Sequence, residues 1–201
     1  RTRYDLTGPD KAARISPWLA SGCLSPKYVY AQLKAYEKQY KSNKSTQTFF
    51  QELLWRDYYR LMGKKYCDQI FKVGGILGRE TKDLQEDQAA FDVWRNGTTK
   101  VPLINALMLQ LQQTGFIPHK GRQLVSSYLV NDLGVAWRMG AAYFQHILID
   151  FDICSNWVNW NMVGGVGPDP KDDRLLNVES QAKRYDSKGE YTGRWLGTAQ
   201  H

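Results

Sequence analysis

LIDFDICSNWVNWN, residues 148–161, is the stretch on which the reading of this chain turns. It carries two carboxylates (Asp150, Asp152), three asparagines and two indoles, between the apolar run AAYFQHILI and a glycine-rich loop. A solvated face does not favour Trp157 and Trp160, and an ordinary core does not favour Asp150, Asp152 and Asn156 without partners. If the stretch is helical, Asp152, Asn156 and Trp160 fall on one line at i, i+4 and i+8. Two carboxylates two apart also spell a metal-binding pair, but no third ligand or phosphate loop stands nearby, so no metal is expected. The remaining readings are core packing, or a polar rim for a heteroaromatic ring with an indole behind it; spacing alone leaves both open. Trp137 and Trp160 would relay electrons if an oxidant sat alongside.

The rest of the chain narrows the classes. With 201 residues it is long enough for one domain with its own core. Three cysteines (Cys23, Cys67, Cys154) are widely spaced and odd in number, which argues against a disulfide framework and for a reducing intracellular setting. Three histidines (His119, His146, His201) lack zinc-ligand spacing. No apolar run reaches the length of a membrane span. The net charge of +7 is compatible with a polyanion, but Lys and Arg are scattered and form no tail. The N-terminal RTRYDLTGPDK has no signal-peptide core and reads like mid-protein sequence, so any targeting segment would lie outside it.

Helical signals dominate. SPWLASGCLSP (16–26) predicts a short helical turn stopped at Gly22. Ser25-Pro26 supplies an N-cap and a first-turn proline for KYVYAQLKAYEKQY. SNKST closes that helix and caps TQTFFQELLWRDYYRLMGKKY, which is apolar nearly all round and is expected to be a central buried helix. FKVGGILGRETKDLQED reads as a loop and AAFDVWRN as a short helix ending at Gly97. A further helix opens at Pro102 and closes at Gly115. Helices are expected over 119–132 and 138–149, separated at Gly134. The tail from Val163 reads as loop-rich, with a short helix near Arg194–Leu196. With no period-2 alternation, the expected fold is all-α, a multi-helix cluster.

Two more constellations stand out. Glu52 and Arg56 lie four apart with Glu on the N-terminal side, the favoured order for a helical ion pair. On a buried helix such a pair is costly unless something polar needs it, and with Trp55 between them the three would line a pocket for a planar polar ligand. Arg122, near the start of a helix whose later turns are apolar, gains interest from the carboxylates downstream.

Taken together, SPWLASGCLSP, ELLWRDYYR (52–60), GRQLVSSYL (121–129), LGVAWRMGAAYF (133–144), LIDFDICSNWVNWN and QAKRYDSKGEY with RWL (181–196) resemble one family. It is the C-terminal, FAD-binding helical domain of the cryptochrome/photolyase family, nearest the cryptochrome-DASH branch. The resemblance covers residues 1–201 as a single domain, and the family's N-terminal antenna domain has no counterpart in the chain. It implies a helical cavity holding FAD in a folded conformation. By matched position, Glu52, Trp55 and Arg56 would lie on the flavin or at the substrate mouth. Arg122 would pair with Asp150, Asp152 would lie near a ring edge and Asn156 near the flavin N5. Trp160 and Trp137 would be the first two members of the family's electron relay.

Departures from the family pattern are uneven. Ala12-Ala13 replace a Ser/Thr pair that grips the FAD phosphates, leaving Ser16 and backbone N–H groups for that task. In GTTKVPLINA (97–106) a family Asp is Asn105 and a family Gly is Lys100. His119-Lys120 replace Asn-Arg, Met162 stands where a substrate-contacting aromatic is usual, and the third relay tryptophan falls at Leu84. The resemblance thus implies a flavin-binding, blue-light- or redox-responsive domain with DNA photorepair weak or lost. Beside it stand a structural or interaction subunit of a larger assembly of protein partners, organellar or otherwise, with or without FAD, and a pyrimidine-dimer photolyase acting on single-stranded DNA. The compartment stays open among chloroplast, mitochondrion, nucleus and cytoplasm.

Overall fold

The computed structural model describes residues 13–79, 85–168 and 176–197. Among them the chain is all-α. Ten α-helices run in order: α1 (Ser16–Ala20), α2 (Pro26–Tyr40), α3 (Lys44–Tyr66), α4 (Gln88–Arg95), α5 (Pro102–Thr114), α6 (His119–Ser127), α7 (Trp137–Ile147), α8 (Ile153–Val163), α9 (Val178–Tyr185) and α10 (Glu190–Leu196). A 3-10 turn follows α3 at Cys67–Phe71, and the only β feature among the described residues is an isolated bridge between Gln85 and Val135. No helix there is long and apolar enough to cross a membrane.

The local signals act as their chemistry predicts. Pro26 occupies the first turn of α2 after an extended Ser25. Asn43 opens α3 with a reciprocal capping box: its side chain accepts from the Ser45 and Thr46 N–H groups, while Thr46 Oγ1 accepts from the Asn43 N–H. Pro102 starts α5, and Gly115 ends it in the left-handed region at φ +66°, a conformation only glycine adopts without strain. Leu103, Ile104, Ala106, Leu107, Met108 and Leu111 of α5 are buried, making it the axis of the main core. Helix α10 packs on α5, where the Tyr191 hydroxyl meets the Gln110 side chain in a buried hydrogen bond.

Two expectations are corrected and one is met with a local change. Helix α3 is not buried all round: it contacts α2 and α8, and between them only Thr46 and Leu53 are fully covered. Leu54, Trp55 and Leu61 are 50%, 47% and 65% exposed, so the apolar circumference belongs to an open face. The segment 119–132 is helical throughout, but α6 widens into a π turn at Tyr128–Asp132. The tail holds α9, capped by the Asn177 side chain on the Ser180 N–H; its short stripe of Val178, Ala182 and Tyr185 packs on the main core, with only Val178 fully buried. Its successor α10 contains the short helix expected near Arg194.

Candidate functional site

The opening stretch folds as a turn, a cap and a helix. Gly115 and Ile149 backbones are joined (Ile149 N–H to Gly115 O, 3.0 Å), which fixes residues 148–152 against the end of α5. Asp152 then caps α8 by accepting from the Ser155 N–H at 2.9 Å. The helix so started carries Asp152, Asn156 and Trp160 in line, the last two buried.

Asp150 meets Arg122. One guanidinium nitrogen donates to both carboxylate oxygens at 2.9 and 2.8 Å, while Nε donates to the Ile117 carbonyl at 3.0 Å. The Asp150 side chain is 3% exposed, and Arg122 is the partner that offsets its burial. Phe116 packs under the same guanidinium, 5.3 Å from its centre.

Asp152 lies beside Arg60 of α3 at 3.3 Å, one helical turn beyond the Arg56 singled out from the sequence. Burial pushes the Asp152 carboxyl up, but the Ser155 backbone and hydroxyl and the Arg60 charge outweigh it and hold the carboxyl below its usual range. Arg56 donates to the Leu19 carbonyl at 3.1 Å, tying α3 to α1 and so to Ser16. Burial, then the Arg60 charge, lower its affinity for a proton, while Asp152 opposes them. Arg56, Arg60 and Asp152 therefore form one charged group. Glu52 and Trp55 lie on the exposed face of α3, where Trp55 stacks on Tyr59 (5.7 Å, 26°) and meets Tyr58 edge-on. Arg60 went unread because only its i+4 relation to Arg56 marked it.

The indoles sort into two groups. Trp160 packs edge-on to Phe144 at 5.2 Å and to Trp94 at 6.5 Å. Trp137 meets Trp157 at 6.0 Å, its Nε1 donating to the Val73 carbonyl at 3.3 Å. Asn156 donates its amide to the Ala141 carbonyl at 2.9 Å, joining α8 to α7 and leaving its carboxamide oxygen as the acceptor it can offer. Next in sequence to Arg56, Asp150 and Asp152, the side chains of Trp55, Ile149 and Ile153 stay 47%, 59% and 47% exposed.

The altered positions are placed as follows. Asn105 staples the loop before α5: its Oδ1 accepts from the Thr99 N–H (2.8 Å) and hydroxyl, and its Nδ2 donates to the Thr99 carbonyl at 2.8 Å. The last bond needs an amide and is unavailable to a carboxylate. His119 and Lys120 open α6; the Lys120 ammonium sits 5.5 Å from the Tyr185 ring centre, and burial, then Arg184, lower its proton affinity. Met162 is half-buried and packs on the core. Ala13 is exposed, while Ala12 and Leu84 lie outside the described residues.

Residues 49–201 match the family model described as the FAD binding domain of DNA photolyase, and the chain belongs to that cryptochrome/photolyase family. Among named relatives, it is 49% identical to a chloroplastic/mitochondrial cryptochrome DASH of Oryza sativa over 97% of its own length and 33% of the relative's. It is 46% identical to a cryptochrome DASH of Synechocystis, covering 97% of the chain and 40% of that relative. The crystal structure of the Synechocystis sp. PCC6803 cryptochrome superposes with a TM-score of 0.94 at 45% identity, over 98% of this chain and 40% of that one. The chain thus spans about two fifths or less of the length of these relatives.

FAD is the cofactor of this domain, and the residues suit it. A flavin presents a flat apolar ring with a polar edge, and a diphosphate. The chain offers exposed apolar surface at Trp55, Ile149 and Ile153, one satisfied ion pair, one charged group, and an Asn156 amide oxygen for which no donor is seen among the described residues.

Proposed function

We propose that this chain is the flavin-holding part of a cryptochrome-DASH-like protein that responds to blue light or to redox state, with pyrimidine-dimer repair weak or lost. The observation that carries this reading is the order along α8. An ionised cap at Asp152, an amide at Asn156 and a buried indole at Trp160 succeed one another on one face, behind the closed Arg122–Asp150 pair. When bound, FAD supplies visible-light absorption and one-electron chemistry.

The protein's own groups do the rest. Arg122 neutralises Asp150, so that wall is polar without presenting a net charge. Asp152, kept ionised, accepts from a ring N–H or a ribose hydroxyl. Asn156 offers its carboxamide oxygen to a protonated ring nitrogen, while its amide nitrogen stays pinned to α7. Arg56 and Arg60 bring positive charge to an anionic cofactor, with Ser16 on α1 held near by the Arg56–Leu19 bond. Trp160, one turn beyond Asn156 on the same face of α8, is the electron donor, with Trp137 as a further indole. Glu52 and Trp55 face outward, where a base or another planar group would stack.

Weak repair follows from His119, Lys120 and Met162, which replace the residues the family uses at the substrate mouth. The test is direct. The purified chain is expected to be yellow, with oxidised-flavin absorbance that bleaches under blue light in the presence of thiol, and to leave a dimer-containing single-stranded oligonucleotide unrepaired. A colourless, folded chain that takes up no added FAD would overturn the flavin reading. Light-dependent restoration of the oligonucleotide would overturn the loss of repair.

A further inference from the structure

Trp94 is fully buried in α4, with its indole Nε1 donating to the Val125 carbonyl at 2.9 Å. Its ring lies 6.5 Å from Trp160, 6.3 Å from Phe144 and 5.6 Å from Tyr143. Phe91 closes the group, 5.7 Å from Trp94 and 6.0 Å from Tyr143. Tyr143 is only half-buried, with the Gln112 side chain and the Arg95 guanidinium near its phenol. Continuous aromatic contact therefore runs from Trp160 in the core, through one indole, to a phenol near solvent.

We propose that Trp94 and Tyr143 form an electron exit from Trp160, distinct from the Trp137–Trp157 group, and that a tyrosyl radical at Tyr143 is its end point. This rests on the reading that FAD is held beside Trp160. The electron count is simple. Trp160 gives one electron to the light-excited oxidised flavin, the one-electron oxidant. Trp94 refills Trp160, and Tyr143 refills Trp94 while its phenolic proton leaves to water. The net change is one electron gained by the flavin, one tyrosyl radical and one proton released. A soluble thiol then returns an electron and a proton to Tyr143.

Chemistry sets the direction. Electron-transfer rates fall exponentially with the gap between rings, so rings in contact dominate. Phe91 and Phe144 are harder to oxidise than indole or phenol and serve as packing. Trp94 is enclosed in apolar side chains with a carbonyl as its hydrogen-bond acceptor, so a positive charge is costly there and does not settle. Tyr143 sheds its proton on oxidation and ends as a neutral radical, which traps the hole.

The experiment uses the flavin-loaded chain, with FAD content measured first by absorbance. Flash photolysis with transient absorption and EPR is run on the wild type, Y143F, W94F, W137F and W160F. The wild type is expected to yield a tyrosyl radical. Y143F loses it and recombines several-fold faster, W94F loses it with FAD still bound, and W137F keeps it. Retention of the tyrosyl signal in Y143F or W94F, or its loss in W137F, overturns the proposal. Loss of photoreduction in W160F alone, with those results, leaves the flavin reading standing while the exit fails. If the chain holds no FAD, ultraviolet photo-oxidation of its indoles reads the same contacts: tyrosyl yield falls in Y143F and W94F, and an unchanged yield overturns the exit.

Discussion

Gly140 of α7 lies directly beneath the indole of Trp160. A Cβ at position 140 would stand 2.2 Å from the ring's Cη2 and 2.6 Å from Cζ3, and 2.7 Å from the Leu129 Cδ2. The absence of a side chain there is what admits Trp160 between α7 and α8.

Alanine at 140 would gain about 1 kcal/mol of helix propensity. It would also overpack a closed contact, which typically costs about 1–3 kcal/mol. The second term wins because the obstacle is a rigid ring held on its other sides by Trp94 and Phe144. G140A is expected to unfold at lower urea concentration and to shift tryptophan emission. An unchanged midpoint and spectrum would show that the indole has room to move.

Removing the Arg122 side chain leaves the buried Asp150 carboxylate without its partner. Breaking one side of a buried pair costs about 3–5 kcal/mol. R122M is therefore expected to destabilise the chain by that order, and R122M/D150N to recover a substantial part, because the orphaned charge is then gone. Chemical denaturation of the two variants checks this. Equal losses in both would mean that the Arg122 bond to the Ile117 carbonyl matters more than the ion pair.

How far the sequence reaches is visible in particular residues. The proline, asparagine and glycine punctuation of α2, α3 and α5 acts through local backbone geometry, so it was legible without tertiary knowledge. The Asp152–Asn156–Trp160 line followed from helical periodicity once Asp152 was allowed to cap. The exposure of α3 was not legible, since an apolar circumference looks the same whether it meets a core or lines an open face. The Arg60–Asp152 contact was not legible either, since it joins α3 to the start of α8 across a tertiary contact that no local spacing marks. Trp94 was hidden for a similar reason: its approach to Trp160 joins α4 to α8, far apart in sequence. The family resemblance supplied the cofactor, which periodicity alone could not.

Asn105 is a departure from the family pattern with a local function. Its amide donates to the Thr99 carbonyl while its oxygen accepts from the Thr99 N–H and hydroxyl. N105D keeps the acceptor and turns the donor into a second oxygen facing a carbonyl. Leaving a part-buried group unsatisfied costs about 1–3 kcal/mol. The variant is expected to melt earlier at neutral pH and to regain part of the loss in acid, where a protonated carboxyl donates again. A melting temperature that ignores pH would remove the Thr99 bond from the account.

Asp152 gives the chain a pH dependence whose sign is fixed. Its folded carboxyl lies below its usual value, so its contribution is fully present above the unfolded value of about 4. It is lost as pH falls through the lower, folded value. Two interactions are involved, and they separate by substitution. Asparagine caps helices about as well as aspartate, so D152N keeps the bond to the Ser155 N–H and loses the carboxylate's charge, and with it the attraction to Arg60. Arg60 is half-exposed, which limits that attraction to about 1 kcal/mol or less. Alanine removes the cap as well and costs about 0.5–2 kcal/mol. Urea midpoints measured from pH 7 down to pH 3 are expected to fall less steeply in D152N than in the wild type, with D152A below both at pH 7. Parallel acid limbs in the wild type and D152N would assign the acid sensitivity to other carboxylates.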